Sequence, residues 1–284
     1  RKPIGLPSGL RGDDAVARLT LGDDRVLAGM PSRPVAPDPA RRLVTRSEVV
    51  AEHFATSGAP VGHGFTAENR DAGTAYYVRD LPGSRGGTGL RMIVLDTVDA
   101  HGGAAGSLDR AQFAWLRAAL ADRPDRPTMV LSHHTSRSMT NDATVPEEGP
   151  RALGPEVVQL LLRHPHVLLW VNGHTHRNSV RPHPAPSGGG FWEVTTASHI
   201  DWPQQVRTIE VADNRDGTLS IFGTMVDSAA PAAWDGSLGT TTALAALSRE
   251  LAANDPQTSV DNHRGAADDR NVELLLPAPA GLAL

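Results

Sequence analysis

The sequence contains no cysteine, which excludes disulfide bonds and thiolate metal sites. Any metal site must therefore use histidine, aspartate, asparagine or glutamate side chains. These ligands suit harder or borderline ions such as Zn, Mn, Fe or Mg. Because cysteine is absent, the redox state of the compartment is left open.

Long hydrophobic runs are also lacking, and none approaches the ~18 residues that span a membrane. The 27 Lys and Arg residues are outnumbered by 32 Asp and Glu residues, giving a net charge of −5, so no basic surplus predicts a nucleic-acid-binding surface. The chain starts at Arg1 without an apolar signal-peptide segment after it. Localisation is not predicted, and a secreted or cell-envelope protein stays possible.

The chain has 284 residues, of which 39% are hydrophobic and 21% charged, as is typical of a globular protein with a buried core. Residues 1–40 are rich in Gly, Pro, Asp and Arg and predict loop, followed by a short helix at 47–54 with Thr45 or Ser47 as its N-cap. Short apolar runs then alternate with helical patterns, which predicts an α/β protein with parallel strands. Ser107 is the predicted N-cap of the first covering helix. The C-terminal part predicts an antiparallel hairpin turning at 214–217 and a further helix.

Polar side chains follow three of the predicted strands at the point where each strand ends. Asp96 follows "MIVL", His133 and His134 follow "MVL", and His174 and His176 follow "LLWVN". Ligands of open α/β sheets bind outside the carboxyl ends of the strands. Three strand ends that deliver Asp or His to one edge therefore predict a ligand site.

The segment "WVNGHTHRN" places His174 and His176 after a buried strand and Gly173. Alternate side chains share a side when the backbone is extended, so both imidazoles can be directed to one point. Neutral imidazole is a good ligand for Zn, Mn or Fe. The alternative is a hydrogen-bonded turn with incidental histidines, which the neighbouring pair His133 and His134 disfavours.

Adjacent residues of a strand point to opposite sides, so only one of His133 and His134 is expected to bind a metal directly. For Asp96, bracing of a loop is at least as good an interpretation as ligation.

Three segments resemble the calcineurin-like metallophosphoesterases: "MIVLDT" with the helix "GSLDRAQFAWLRAAL" after it, "VLSHH", and "VNGHTHRN". Segments nearer the C terminus, such as "TTASHIDWPQQVRTIEV", suggest an actinobacterial subgroup. The resemblance implies the C-terminal portion of a four-layer α/β/β/α metallophosphoesterase sandwich. Residues 1–80 would form a loop-rich segment with a short helix, and residues 81–284 the C-terminal part of the metallophosphoesterase domain.

Carried over by motif, the resemblance implies that His133 and His174 bind one metal and His176 a second. The ions would be divalent Mn, Fe or Zn. His134 and Arg177 become catalytic candidates, and Asn178, His199 and His63 become candidates for binding the substrate. His63 lies in "PVGHGF", for which a structural turn is the alternative.

The family's earlier blocks, Asp-X-His, Gly-Asp and Gly-Asn-His, do not precede "MIVLDT". The short matches at 99–101, 12–14, 22–24 and 261–263 are interpreted as coincidences, since none has the expected strand and order. The sequence thus looks like a fragment, with the remaining ligands in an N-terminal segment of the same protein, and this chain alone is expected to be weakly active or inactive.

The activity implied is hydrolysis of a phosphomonoester or phosphodiester by hydroxide that two metals activate. No Gly-X-Ser-X-Gly elbow or P-loop occurs in the sequence, so serine hydrolase and NTPase functions have no support. Two other functions stay open. One is a hydrolase with a single metal on His133, His174 and His176, and the other is a non-catalytic domain that binds a metal or a partner.

Overall fold

A computed structural model describes residues 2–3, 31–83, 87, 89–255 and 262–279 of the chain. Its α-helices are α1 (Arg46–Ala55), α2 (Ala67–Ala72), α3 (Arg110–Asp122), α4 (Gly154–Leu162) and α5 (Thr241–Ala253). Its strands are β1 (Lys2–Pro3), β2 (Ser32–Arg33), β3 (Tyr77–Leu81), β4 (Leu90–Val94), β5 (Thr128–Leu131), β6 (Val167–Asn172), β7 (Ser179–Pro184), β8 (Gly190–Thr195), β9 (Val206–Asp213), β10 (Thr218–Val226) and β11 (Val272–Pro277).

The main sheet has six strands in the order β3-β4-β5-β6-β8-β7. Strands β4, β5, β6 and β8 run parallel, while β3 and β7 are antiparallel edges. Helices α3 and α4 connect β4 to β5 and β5 to β6, so the predicted alternation of parallel strands and helices is confirmed. The predicted domain boundary between residues 80 and 81 falls inside β3, and the division into two segments stays a prediction.

Strand β7 was not predicted, because Pro182 and Pro184 interrupt its sequence. Proline has no backbone N–H to give to a sheet and is confined to edge strands. The edge position of β7 explains how the strand tolerates both prolines.

The helix caps agree with the sequence at one helix and differ at another. Thr45, one of the two predicted caps, is the N-cap of α1 and forms a capping box with Glu48. The prediction that Ser107 caps α3 was wrong. Asp109 is the N-cap, and its side chain accepts a hydrogen bond from the N–H of Gln112. The hydroxyl of Ser107 is buried and donates to the Asp99 carboxylate.

The second sheet has the order β11-β10-β9 and is antiparallel. Its β9–β10 hairpin turns at 214–217, as the sequence predicts, with the N–H of Asn214 donating to the carbonyl of Thr218 at 3.1 Å. None of the helices in the described ranges is long and apolar enough to cross a membrane.

Two apolar layers hold these elements together. In the first, Leu116 and Leu161 of α3 and α4 pack against the main sheet at Trp170. In the second, the opposite face of the main sheet packs against the second sheet, for example at Leu169 and Ile221. This arrangement confirms the predicted α/β class with two packed sheets, and it fixes the carboxyl ends of β5, β6 and β8 at one edge.

Candidate metal centre

The loops after β5 and β6 carry the two histidine pairs and lie side by side. His133 and His174 each follow the last residue of their strand by two positions. The N–H of Gly173 donates to the carbonyl of His133 at 3.0 Å, which joins the two loops. The parallel pairing of β5 with β6 therefore brings both pairs to the same edge of the sheet.

Three imidazoles form a cluster at this edge, namely His133, His134 and His174. One potential ligand atom of each lies within 4.8 Å of the others. Nε2 of His133 and Nδ1 of His174 are 3.2 Å apart. The structure thus brings together His133 and His174, which the family resemblance assigned to one metal.

The separation of 3.2 Å fits two ligands of a common ion. With metal–nitrogen bonds of about 2.1 Å, two ligating nitrogens lie about 3.0 Å apart at a right angle and about 3.4 Å apart at a tetrahedral angle. His133 is exposed and His174 half-buried, so an ion can reach both rings. The donor set therefore fits a divalent metal of the borderline class.

The backbone at the His-X-His turn is held in an unusual conformation. His174 and His176 have φ angles of 62° and 54°, in the left-handed region that non-glycine residues seldom adopt. The N–H of Thr175 donates to the carbonyl of Gly173 at 2.7 Å, closing a three-residue turn around His174. Backbone strain of this kind clusters at functional sites.

His134 is buried and already has a partner at each ring nitrogen. Its Nε2 lies 3.1 Å from the carbonyl of Ala104, which only accepts, so Nε2 carries the proton. Its Nδ1 then accepts from the hydroxyl of Thr97 at 2.7 Å. A Cβ on Gly106 would overlap the ring, so glycine allows this packing. His134 is therefore positioned by the protein and packs against the His133 and His174 rings.

Two of these imidazoles are held neutral. Burial lowers the pKa of His174, and repulsion from His134, His133 and His176 lowers it further. Burial likewise lowers the pKa of His134, against a smaller opposing effect of its bond to Ala104. Since only neutral imidazole can donate a lone pair to a metal, these shifts favour ligation at neutral pH.

His176 is outside the three-histidine cluster and has a carboxylate partner. Its Nδ1 lies 2.5 Å from Oδ2 of Asp201, which follows β8. The bond leaves Nε2 of His176 as the nitrogen that is free to bind an ion. A carboxylate that orients a ligating imidazole in this way is a common support of metal sites.

Glu193 of β8 fixes the loop that carries His134. The carboxylate is 3% exposed and accepts from the N–H and the hydroxyl of Ser136, each at 2.7 Å. It also accepts from Nδ2 of Asn172 at 2.8 Å and bonds Nε2 of His183 at 2.7 Å. The loop after β5 and the end of β6 are thereby tied to β8 and β7.

The other predicted site residues lie elsewhere. Arg177 is exposed and lines a separate cavity beside the cluster. Asn178 is fully buried, and its amide braces loops by accepting from the N–H of Ala197 and from Arg207. These bonds use the Asn178 amide for structure, and its contact with a substrate stays a prediction.

His199 and His63 are also outside the cluster. His199 is exposed and lies two residues before Asp201, and its ring forms no hydrogen bond within the described part of the chain. His63 is exposed in the α1–α2 connection, with a φ of 53° and a 2.8 Å contact to the hydroxyl of Thr56. The geometry of His63 fits the structural turn that was the alternative.

Asp96 braces a loop, which was one of the two interpretations of this residue. Its carboxylate pairs with Arg46 of α1 at 2.9 Å and accepts the N–H of Val98. The match at 99–101 is also structural, because Asp99 is buried and bonds the ring of His101. The matches at 12–14 and 22–24, and residue 261 of the last one, lie outside the described residues.

Sequence reasoning missed Asp201, Glu193, Arg137 and Arg181. Asp201 follows the fourth parallel strand, so the rule that ligands gather at carboxyl ends applied to it as well. Glu193 and the two arginines lie in or after strands without any local pattern. Only the tertiary structure brings them to the site.

Comparisons of the sequence and the structure with known proteins find few similar proteins. No family model matches this chain. No curated protein matches it either. Among solved structures, the chain is similar to a dimetal phosphatase from Danio rerio, with 14% sequence identity and a TM-score of 0.41. The likeness covers 63% of this chain and 65% of that one, which is less than two-thirds of that structure's length. The function of this chain is therefore inferred from its own residues.

Proposed function

We propose that this chain takes part in the metal-dependent hydrolysis of a phosphoester, either a monoester or a diester. The observation that carries the proposal is the pair His133 and His174, whose ring nitrogens meet at 3.2 Å at the carboxyl edge of a parallel sheet. The ordered resemblance of three motifs to metallophosphoesterases supports it. When bound, divalent ions would supply positive charge that lowers the pKa of water and neutralises charge on phosphoryl oxygens.

Each residue of the site has a distinct role in this proposal. His133 and His174 would hold one ion. His176, with its Nδ1 bonded to Asp201, would hold a second through Nε2. His134 acts as a positioning residue, since its two hydrogen bonds fix a ring against which both ligands pack.

The proposed site needs ligands beyond these. Within the described residues the cluster consists of three imidazoles and includes no carboxylate. Imidazoles are neutral, so two divalent ions held by them alone would keep their full positive charge. We therefore propose that anionic ligands come from a segment of the same protein outside this sequence. This chain alone would then bind metal weakly and turn over little substrate.

The test uses the full-length protein and the variant His174→Ala. Bound metal is counted by elemental mass spectrometry after loading with Mn or Zn and desalting. Hydrolysis of p-nitrophenyl phosphate and of bis(p-nitrophenyl) phosphate is followed in the same samples. The metal affinity of the variant should be lower by about 100-fold, since substitution of residues that only support a ligand already lowers metal affinity by about 10–100-fold.

His164→Ala serves as the matched control, because His164 precedes β6 at the opposite edge of the sheet. The control should keep both its metal and its activity. Hydrolysis that is undiminished in His174→Ala would refute the proposal. A single tightly bound ion would instead indicate the one-metal hydrolase. Bound metal without hydrolysis of either substrate would indicate a non-catalytic domain.

A further inference from the structure

Three arginines line a cavity of about 290 Å³ next to the histidine cluster. Arg137 lies after β5, Arg177 follows the His-X-His turn, and Arg181 lies on β7. Thr135 and Thr175 belong to the same lining. Since Thr135 directly follows His134 and Thr175 separates His174 from His176, the cavity and the cluster share both loops.

Among the described residues, the guanidinium groups of Arg137, Arg177 and Arg181 form no ion pair or hydrogen bond. Two carboxylates also line the cavity, but the protein uses both. Glu193 takes part in four hydrogen bonds, with Ser136, Asn172 and His183 as partners. Asp269 accepts from two backbone N–H groups. The positive groups are therefore the ones left available to a ligand.

The charges of Arg137 and Glu193 both act on the guanidinium group of Arg181. Burial lowers the pKa of Arg181, Glu193 acts in the opposite direction, and the charge of Arg137 lowers it again. Arginine stays protonated in proteins, so this repulsion is part of the folded state. An anion between the guanidinium groups would relieve it.

Simple hydration is the common role of an exposed arginine, and Arg137 and Arg177 are exposed. Arg181 is half-buried in a concave site, however, where an unpaired charge is costlier than on an open surface. Guanidinium groups bind phosphate and carboxylate through paired N–H donors. The three arginines outnumber Glu193 and Asp269 in the lining, so the cavity keeps a net positive charge that favours an anion. A phosphate has more acceptor oxygens for several guanidinium groups than a single carboxylate has.

We infer that the cavity binds a second phosphate group of the substrate, remote from the ester that is cleaved. The inference rests on the proposed phosphoesterase function and narrows its substrate class. The substrate carries at least two phosphate groups, one at the histidine cluster and one among Arg137, Arg177 and Arg181.

The first experiment measures binding without turnover. Full-length protein is stripped of metal, dialysed free of chelator and titrated calorimetrically with inorganic phosphate and with pyrophosphate. Arg181→Gln should weaken binding by at least about tenfold, in line with the loss of one charged hydrogen-bonding partner. Arg181→Lys keeps the charge and should retain part of the affinity, which separates loss of binding from loss of folding. Arg117→Gln, on the exposed face of α3, should bind like the wild type.

The second experiment separates this site from the reacting centre. KM and kcat are measured for p-nitrophenyl phosphate and for adenosine 3′,5′-bisphosphate. Arg181→Gln should raise KM for the bisphosphate and leave p-nitrophenyl phosphate unchanged. The inference would be overturned if the wild type did not bind phosphate, or if Arg117→Gln weakened phosphate binding as much as Arg181→Gln does. An equal rise in KM for both substrates in Arg181→Gln would overturn it as well. Since calorimetry needs neither metal nor turnover, its result is independent of whether His174→Ala abolishes hydrolysis.

Discussion

The substitution Glu193→Gln removes the charge of a buried group that joins the histidine loop to three strands. The carboxylate takes part in four hydrogen bonds, two with Ser136 and one each with Asn172 and His183. Glutamine has nearly the same shape but only one acceptor oxygen. Its amide nitrogen would face groups that donate, so up to two buried donors would be left without an acceptor.

The expected magnitude follows from the pKa of this carboxyl. Burial alone would raise it, but the bonds from His183, Ser136 and Asn172 outweigh burial and lower the pKa of Glu193 from 4.5 to about 2. At about 1.36 kcal/mol per pKa unit, the ionised form stabilises the folded state by about 3 kcal/mol. A lowered folded-state pKa contributes stability above the unfolded value, and that stability is lost as the pH falls. The contribution is thus complete above about pH 5 and decreases from there toward about pH 2.

Urea denaturation followed by tryptophan fluorescence measures this contribution between pH 7 and pH 3.5. At pH 7, Glu193→Gln should lower the free energy of unfolding by about 2–4 kcal/mol, and the difference from wild type should narrow on acidification. The control is Glu210→Gln on β9, where the side chain is exposed and a change below about 0.5 kcal/mol is expected. A Glu193→Gln variant as stable as its control, or a gap that is independent of pH, would show that the hydrogen-bonded carboxylate is not ionised as argued.

Two further substitutions test the metal support and the core. Asp201→Asn removes the charge beside His176 and should weaken binding of Mn or Zn by about 10–100-fold in calorimetric titration, whereas unchanged affinity would exclude a supporting role. Leu161→Ala opens a cavity where α4 packs on the main sheet and should cost about 2–5 kcal/mol in urea denaturation. Leu251→Ala is the control for the core variant, since Leu251 is 64% exposed, and an equal loss in both would contradict the packing described.

The sequence predicted the parallel strands and their covering helices because each has a distinct pattern. Short apolar runs around Val130 and Trp170 end in histidines, and the intervening segments have apolar residues at helical spacing. The carboxyl-end rule then placed His133 and His174 at one edge, where the structure has them. Local pattern and chain order were sufficient for these residues.

The remaining contacts depend on separations that no local pattern encodes. Ser136 and Glu193 meet across 57 positions, and His176 and Asp201 across 25. The apolar pattern that reveals a strand is missing in β7, where two prolines are tolerated by the edge position. Arg181 reaches its cavity through that strand, so the arginine site could not be predicted before the edge strand was known.

The placement of Glu193 beside three arginines has a physical reason. Three guanidinium groups around one cavity repel one another, and a nearby negative charge reduces that cost, as the effect of Glu193 on the pKa of Arg181 shows. A carboxylate that paired with the arginines directly would also occupy the N–H groups that an anion needs. Glu193 instead forms its hydrogen bonds with Ser136, Asn172 and His183. It therefore stabilises the positive cavity at a distance while leaving the arginine donors available, and the same bonds hold the loop of the histidine cluster in place.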